Sequence, residues 1–116
     1  MSDLRFEKFV LQLNPDKNPD IFGTEFQQIL QQMENDPNYI ETLQKLSALG
    51  HQTRWAIYNI LKLQPMCTCA LAKVFQMKEN TISHHLKLLE AANLITGKKE
   101  GYFTVYCVRP IEMKLL

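Results

Sequence analysis

Helical apolar spacing over most of the chain, one pair of β-rich runs near its end and a charge balance that changes sign half-way predict a mainly α protein closed by a two-stranded β-hairpin. With 116 residues, 46% of them apolar, the chain can build one ordinary hydrophobic core and is short for two. We therefore expect one domain, with residues 1–37 as a helical extension and 38–116 as its main body.

The elements follow in order. Leu4, Phe6, Phe9, Val10 and Leu13 recur at helical spacing over residues 3–13, and NPDKNPD with its two prolines ends that run. Gly23-Thr24 then opens a second helix with Phe26, Ile29, Leu30 and Met33 on one face, which stops at Asn35-Asp36-Pro37. NYIETLQKLSALG lines up Ile40, Leu43, Leu46 and Leu49 and closes on Gly50. QTRWAIYNILKLQ is apolar enough to predict a helix buried on most sides, and Pro65 ends it. CTCALAKVFQM and KENTISHHLKLLEAANLI predict two short helices with a tight turn before Lys78, a helix-turn-helix pattern. Finally, ITGKKEGYFTVYCV has Tyr102, Phe103, Val105 and Tyr106 beside a corner glycine, which predicts a β-hairpin. Together these make a winged helix-turn-helix with extra N-terminal helices.

Charge divides the chain. Residues 1–50 carry four basic against eight acidic side chains, and residues 51–116 carry nine against four. Such polarity predicts that the second half meets a polyanion. The N-terminal stretch mixes charges among its apolar residues, and no run is long enough to span a membrane, so a cytoplasmic protein is expected. There, three cysteines are free, metal-binding or redox-active rather than paired in structural disulfides. A Gly-rich phosphate loop, a nucleophile elbow and an H-E-x-x-H are all missing from the sequence, so no enzyme is expected.

Residues 79–91 taken as one helix place Ile82, Leu86 and Leu89 within about 40° of one another, with His85 beside them. This is the core stripe. Asn80, His84 and Lys87 fall opposite, flanked by Thr81 and Ser83, all able to reach base edges or phosphates. Leu88 also points that way and does not fit a polar face. His84 and His85 diverge by about 100°, which makes them a poor pair of ligands for one ion. Lys98 and Lys99 lie near the hairpin tip, where they could meet neighbouring phosphates.

The stretch from Leu46 to Val108 resembles the ArsR/SmtB family of winged-helix, metal-responsive repressors, through Thr53-Arg54, Ser83-His84-His85-Leu86-Lys87-Leu88-Leu89 and the GKKEG wing. The resemblance implies a homodimer that binds palindromic operator DNA and releases it when an inducer binds, with no permanently bound cofactor. It also implies that Cys67 and Cys69, matching the C-x-C of arsenite- and cadmium-sensing members, hold a thiophilic inducer such as arsenite, Cd(II) or Cu(I). Two departures matter. Ala72 stands where a third cysteine is expected, and RPIEMKLL is too short for the closing helix of the family and has neither His nor paired acids, so a zinc-type site is not expected. The N-terminal helices are thus the expected dimer interface.

Within a regular helix, residues two apart point about 200° from each other. Cys67 and Cys69 are therefore expected to share an ion only if the backbone is loose there or the helix end rearranges. A redox or sulfur-responsive thiol switch at the same pair is the alternative, and no role is expected for Cys107.

Overall fold

A computed structural model describes residues 4–111. Contacts divide the chain into two compact units, with the boundary between Tyr39 and Ile40.

The first unit holds α1 (Leu4–Leu13) and α2 (Pro19–Glu34). α2 begins at Pro19, four residues before the expected Gly23, because Asn18-Pro19 is a start signal and not a breaker. The Asn18 side chain accepts the Asp20 N–H at 2.9 Å, and proline at the first helical position loses no hydrogen bond. Phe22 packs 6.0 Å from Phe6 and 4.8 Å from Phe26 between ring centres, and Val10 is fully buried. Phe9, Phe26, Ile29 and Leu30 nevertheless remain about half exposed.

The chain continues through α3 (Pro37–Leu49), α4 (Gln52–Leu63), β1 (Met66–Cys67), α5 (Thr68–Phe75), α6 (Glu79–Ala91), β2 (Ile95–Glu100) and β3 (Phe103–Val108). In the second unit Ile57, Leu61, Leu71, Ile82, Leu86, Leu89, Leu94 and Ile95 are almost completely buried in one core. Each such side chain contributes roughly 1.5–3 kcal/mol of transfer free energy, so this cluster is what aligns α4, α5 and α6. α4 is amphipathic instead of buried on most sides, since Trp55 and Leu63 face outward. α3 likewise turns Thr42, Lys45 and Ala48 inward and leaves Ile40, Leu43 and Leu46 half exposed.

β2 and β3 form the expected antiparallel hairpin, with Glu100 opposite Phe103. Gly101 has a φ of +61°, which suits the first central residue of a tight turn that matches strand twist. β1 adds a third strand beside β3, pairing Cys67 with Val105 and giving the order β1-β3-β2. After β3, the Arg109 N–H reaches the Leu94 carbonyl at 2.8 Å and ties the hairpin's end to its start. The expected lack of a closing helix concerns a tail whose residues 112–116 lie outside the described residues.

Candidate nucleic-acid interface and thiol site

α5 and α6 are joined by a corner at Gln76, whose left-handed backbone (φ 54°) lets the Met77 N–H return to the Ala72 carbonyl at 3.1 Å. This closure ends α5 sharply and launches α6 from Lys78. α6 then presents its buried residues Ile82, His85, Leu86 and Leu89 to the core. Asn80, Thr81, His84 and Lys87 are exposed on the other side and Ser83 is half-buried, with Leu88 partly exposed among them. Lys98 and Lys99 are exposed on β2, and Tyr102 at the hairpin turn is wholly exposed. The unit thus carries a polar helix face and a basic strand, each held by the same core.

The thiols lie at the start of the helix-turn-helix. Cys67 is not inside α5 but caps it, with an extended backbone (φ −78°, ψ 168°) and its Sγ accepting the Ala70 N–H at 3.4 Å. Its sulfur therefore swings back over the first turn, 2.8 Å from the Sγ of Cys69. The 200° divergence applies to two helical residues and Cys67 is not one, so the pair converges with α5 regular from Thr68 onward and no rearrangement of its end is needed. The hydrogen bond from Cys69 and then the Ala70 N–H hold the Cys67 thiol below its ordinary range. Donating to Cys67 pushes the Cys69 thiol up. Cys67 is thus the readier thiolate of the two. Cys107 points elsewhere, its Sγ 3.7 Å from the Thr96 carbonyl oxygen, and Ala72 lies on the buried face of α5.

The model for bacterial regulatory proteins of the arsR family matches residues 51–96, the segment from the cap of α4 into β2. An uncharacterised HTH-type transcriptional regulator of Methanocaldococcus jannaschii is 31% identical over 71 residues, covering 60% of this chain and 80% of that one. The chain belongs to the arsR family. It is also 38% identical over 64 residues to the arsenical resistance operon repressor of Bacillus subtilis, covering 54% of this chain. The arsR-family chain spans only 61% of that relative's length. An ArsR-like transcriptional regulator from Rhodococcus sp. RHA1 superposes with a TM-score of 0.58 at 28% identity, covering 61% of this chain and 67% of that one. As a member of a family of regulatory proteins, the chain is not an enzyme. No helix among the described residues is long and apolar enough to cross a membrane.

One cluster in this arsR-family fold has no local signal in the sequence. His51 caps α4 by accepting the Thr53 N–H on Nδ1 at 3.1 Å, and its ring lies 4.9 Å from that of the buried His85. Arg54 donates to the Ala48 carbonyl at 2.6 Å and approaches His85 Nδ1 at 3.4 Å, while the His84 ring is 5.8 Å from His85. The other two histidines of the chain therefore meet at His85, with Arg54 beside it. Among the described residues, no group of three or more His, Cys, Asp or Glu is placed to hold a metal.

Burial first, then the charges of His51, Arg54 and His84, lowers the pKa of His85. The unfolded chain then binds a proton more readily than the folded one. Stability contributed by neutral His85 is complete above the unfolded value of about 6.5 and is lost as pH falls through it. We expect urea unfolding to give a lower stability at pH 5.5 than at pH 7.5, with a shallower pH slope for His85→Gln. Equal slopes for the two proteins would contradict this assignment.

Proposed function

We propose that the chain is a dimeric transcriptional repressor that binds operator DNA and is released from it by a thiophilic metal or metalloid held at Cys67 and Cys69. The observation that carries this reading is the pairing of the two sulfurs, 2.8 Å apart, on the residue that caps the helix-turn-helix. The same Cys67 lies in β1, hydrogen-bonded beside the wing strand, so an inducer there touches both DNA-facing parts. The B. subtilis relative's name, an arsenical resistance operon repressor, supports this signal class.

In this reading Asn80, Thr81, Ser83, His84 and Lys87 enter the major groove, and Lys98 and Lys99 neutralise phosphates. The sulfurs fit a soft ion, which needs thiolate donors. Engaging Cys67 Sγ competes with its hydrogen bond from Ala70, which loosens the start of α5 and shifts the reading head. The DNA-binding unit is served by dimerisation through residues 1–37, where half-exposed phenylalanines and leucines present apolar surface. Such a repressor acts in the cytoplasm.

DNA binding is tested by substitution. Asn80→Ala and His84→Ala are each expected to weaken operator binding by about 1–3 kcal/mol and to relax discrimination between sequences. Lys98→Ala and Lys99→Ala are expected to weaken all duplexes alike and each to lower the salt slope by about one unit. Fluorescence anisotropy with operator and scrambled DNA at several salt concentrations separates the two patterns. Four variants that bind like the wild type would remove the recognition-helix assignment.

A second reading, a thiol switch, is favoured by the same contact, since a thiolate beside a thiol is set up for oxidation by peroxide or capture of sulfur. Anaerobic titration of the DNA complex with arsenite, Cd(II) and Cu(I), set against peroxide and polysulfide, distinguishes the two by which additions release DNA.

A further inference from the structure

We propose that Arg54 and His85 form an acid-sensitive latch between α4 and the DNA-facing helix α6, so that a proton taken up by His85 frees α6 from its seat and lowers affinity for duplex DNA. This rests on the reading of α6 as the recognition helix and gives it a second input, separate from the thiols.

The geometry is that of a strut. Arg54, half-buried near the start of α4, donates through Nε to the Ala48 carbonyl near the end of α3 at 2.6 Å, and its Nη1 lies 3.4 Å from Nδ1 of His85 on α6. One guanidinium thus ties α3, α4 and α6 together. A guanidinium can only donate and does not give up its charge, so the contact needs a lone pair on Nδ1 and a neutral His85 that carries its proton on Nε2. Protonation at Nδ1 removes the acceptor and sets an imidazolium against a fixed cation.

The surroundings offer that charge no compensation. His85 is only 8% exposed, so water reaches it poorly. The groups whose charges bear on it are His51, whose ring lies 4.9 Å away, Arg54, and His84 at 5.8 Å on α6 itself, and none of the three is an acid. On the elements packed against α6, Lys62 of α4, Lys73 of α5 and Lys98, Lys99 and Glu100 of β2 all point into solvent.

Relief therefore lies outward. Ile82, Leu86 and Leu89 share the buried stripe with His85, so a turn of α6 that carries the imidazolium toward water also re-aims Asn80, His84 and Lys87 on the opposite face. The form that reads DNA holds His85 neutral, and the released form holds one proton more. Affinity is then complete above the ordinary histidine value of about 6.5 and is lost as pH falls below it. This sign is diagnostic, because acid adds positive charge to the protein and by charge alone would strengthen its attraction to phosphates.

The test uses the full chain with its thiols reduced and metals chelated, and a duplex enriched from a randomised pool at pH 7.5. Anisotropy of the labelled duplex is followed from pH 7.5 to 5.0 at constant ionic strength, with circular dichroism reporting that the protein stays folded. The wild type is expected to lose affinity by about fivefold or more, the lower end of ordinary coupling between two sites. His85→Gln, which can accept from Arg54 and cannot be charged, is expected to show no loss. Arg54→Gln, which keeps a donor without the cation, is expected to blunt it. The coupling is also readable in the wild type alone, where the duplex should move the titration of the His85 imidazole, followed by NMR, to lower pH.

Wild-type affinity that is constant or rises toward pH 5.0 overturns the latch and leaves the DNA reading of α6 standing. So does a His85→Gln variant that loses as much as the wild type, or a His85 titration that the duplex leaves in place. If no duplex is bound at any pH, this inference and the reading beneath it both fall.

Discussion

Cys67→Ser and Cys69→Ser variants are expected to hold operator DNA with nearly the wild-type affinity and to lose their response to arsenite or another thiophilic inducer altogether. Affinity survives because serine is among the best residues at a helix start, so Ser at position 67 still caps the Ala70 N–H that Cys67 caps now. Cys67→Ala is the informative contrast. It removes both the ligand and the cap, costs about 1 kcal/mol of helix stability and weakens DNA binding even without inducer.

The response disappears because a hydroxyl is a poor donor to soft ions. In the wild type the coupling is expected to be reciprocal, inducer weakening DNA binding by the factor, typically about 5- to 150-fold, by which DNA weakens inducer binding. Absorbance from sulfur to metal or metalloid, read with and without operator, measures one side, and anisotropy of labelled DNA measures the other. A double serine variant that still lets go of DNA on addition of the ion would return the pair to a packing or redox role. Cys107→Ser is expected to change neither side.

Deleting residues 1–35 is expected to convert a dimer into a monomer in sedimentation. The buried core of the second unit is drawn from residues 48–95, with Tyr106 and Val108 packed against it, so the remaining chain is expected to keep its helix-turn-helix. What it loses is the half-exposed apolar surface of α1 and α2, in which Phe9 and Phe26 are each 52% exposed. Operator half-sites about 34 Å apart need two linked recognition helices. Unlinked, the second binding event is no longer intramolecular, and affinity for the full operator falls by about 10²- to 10⁴-fold toward that for a half-site. A truncated chain that remained a tight dimer would place the interface elsewhere, and the half-exposed Ile40, Leu43 and Leu46 of α3 would then be the surface to mutate.

Elements with a long, clean period are legible in the sequence. α6 spans Glu79–Ala91, as the spacing of Ile82, Leu86 and Leu89 predicts, and His85 turns to the core while His84 does not. The hairpin follows from aromatic and β-branched residues around one glycine. Short or non-local features are not legible. β1 has two residues and no period, and its pairing with β3 depends on Val105, 38 positions beyond Cys67 in the numbering. Arg54 and His85 meet across 31 residues. The early start of α2 was hidden because Asn-Pro ends one helix and begins another with the same letters. The convergence of Cys67 and Cys69 is not legible for a related reason: spacing within a helix says nothing about a residue whose own backbone is extended.

That Cys67 is a cap has a consequence for sensitivity. In the proposed sensor, a ligand that engages the Cys67 sulfur competes with the Ala70 N–H for it. The strength of that bond therefore sets the concentration at which the response begins. Strengthening the start of α5 by other means raises this threshold, and weakening it makes the protein respond to less, or to nothing at all. On the reading proposed above, the set point lies in the first turn of one eight-residue helix, where single substitutions that touch neither DNA nor ligand are expected to move it.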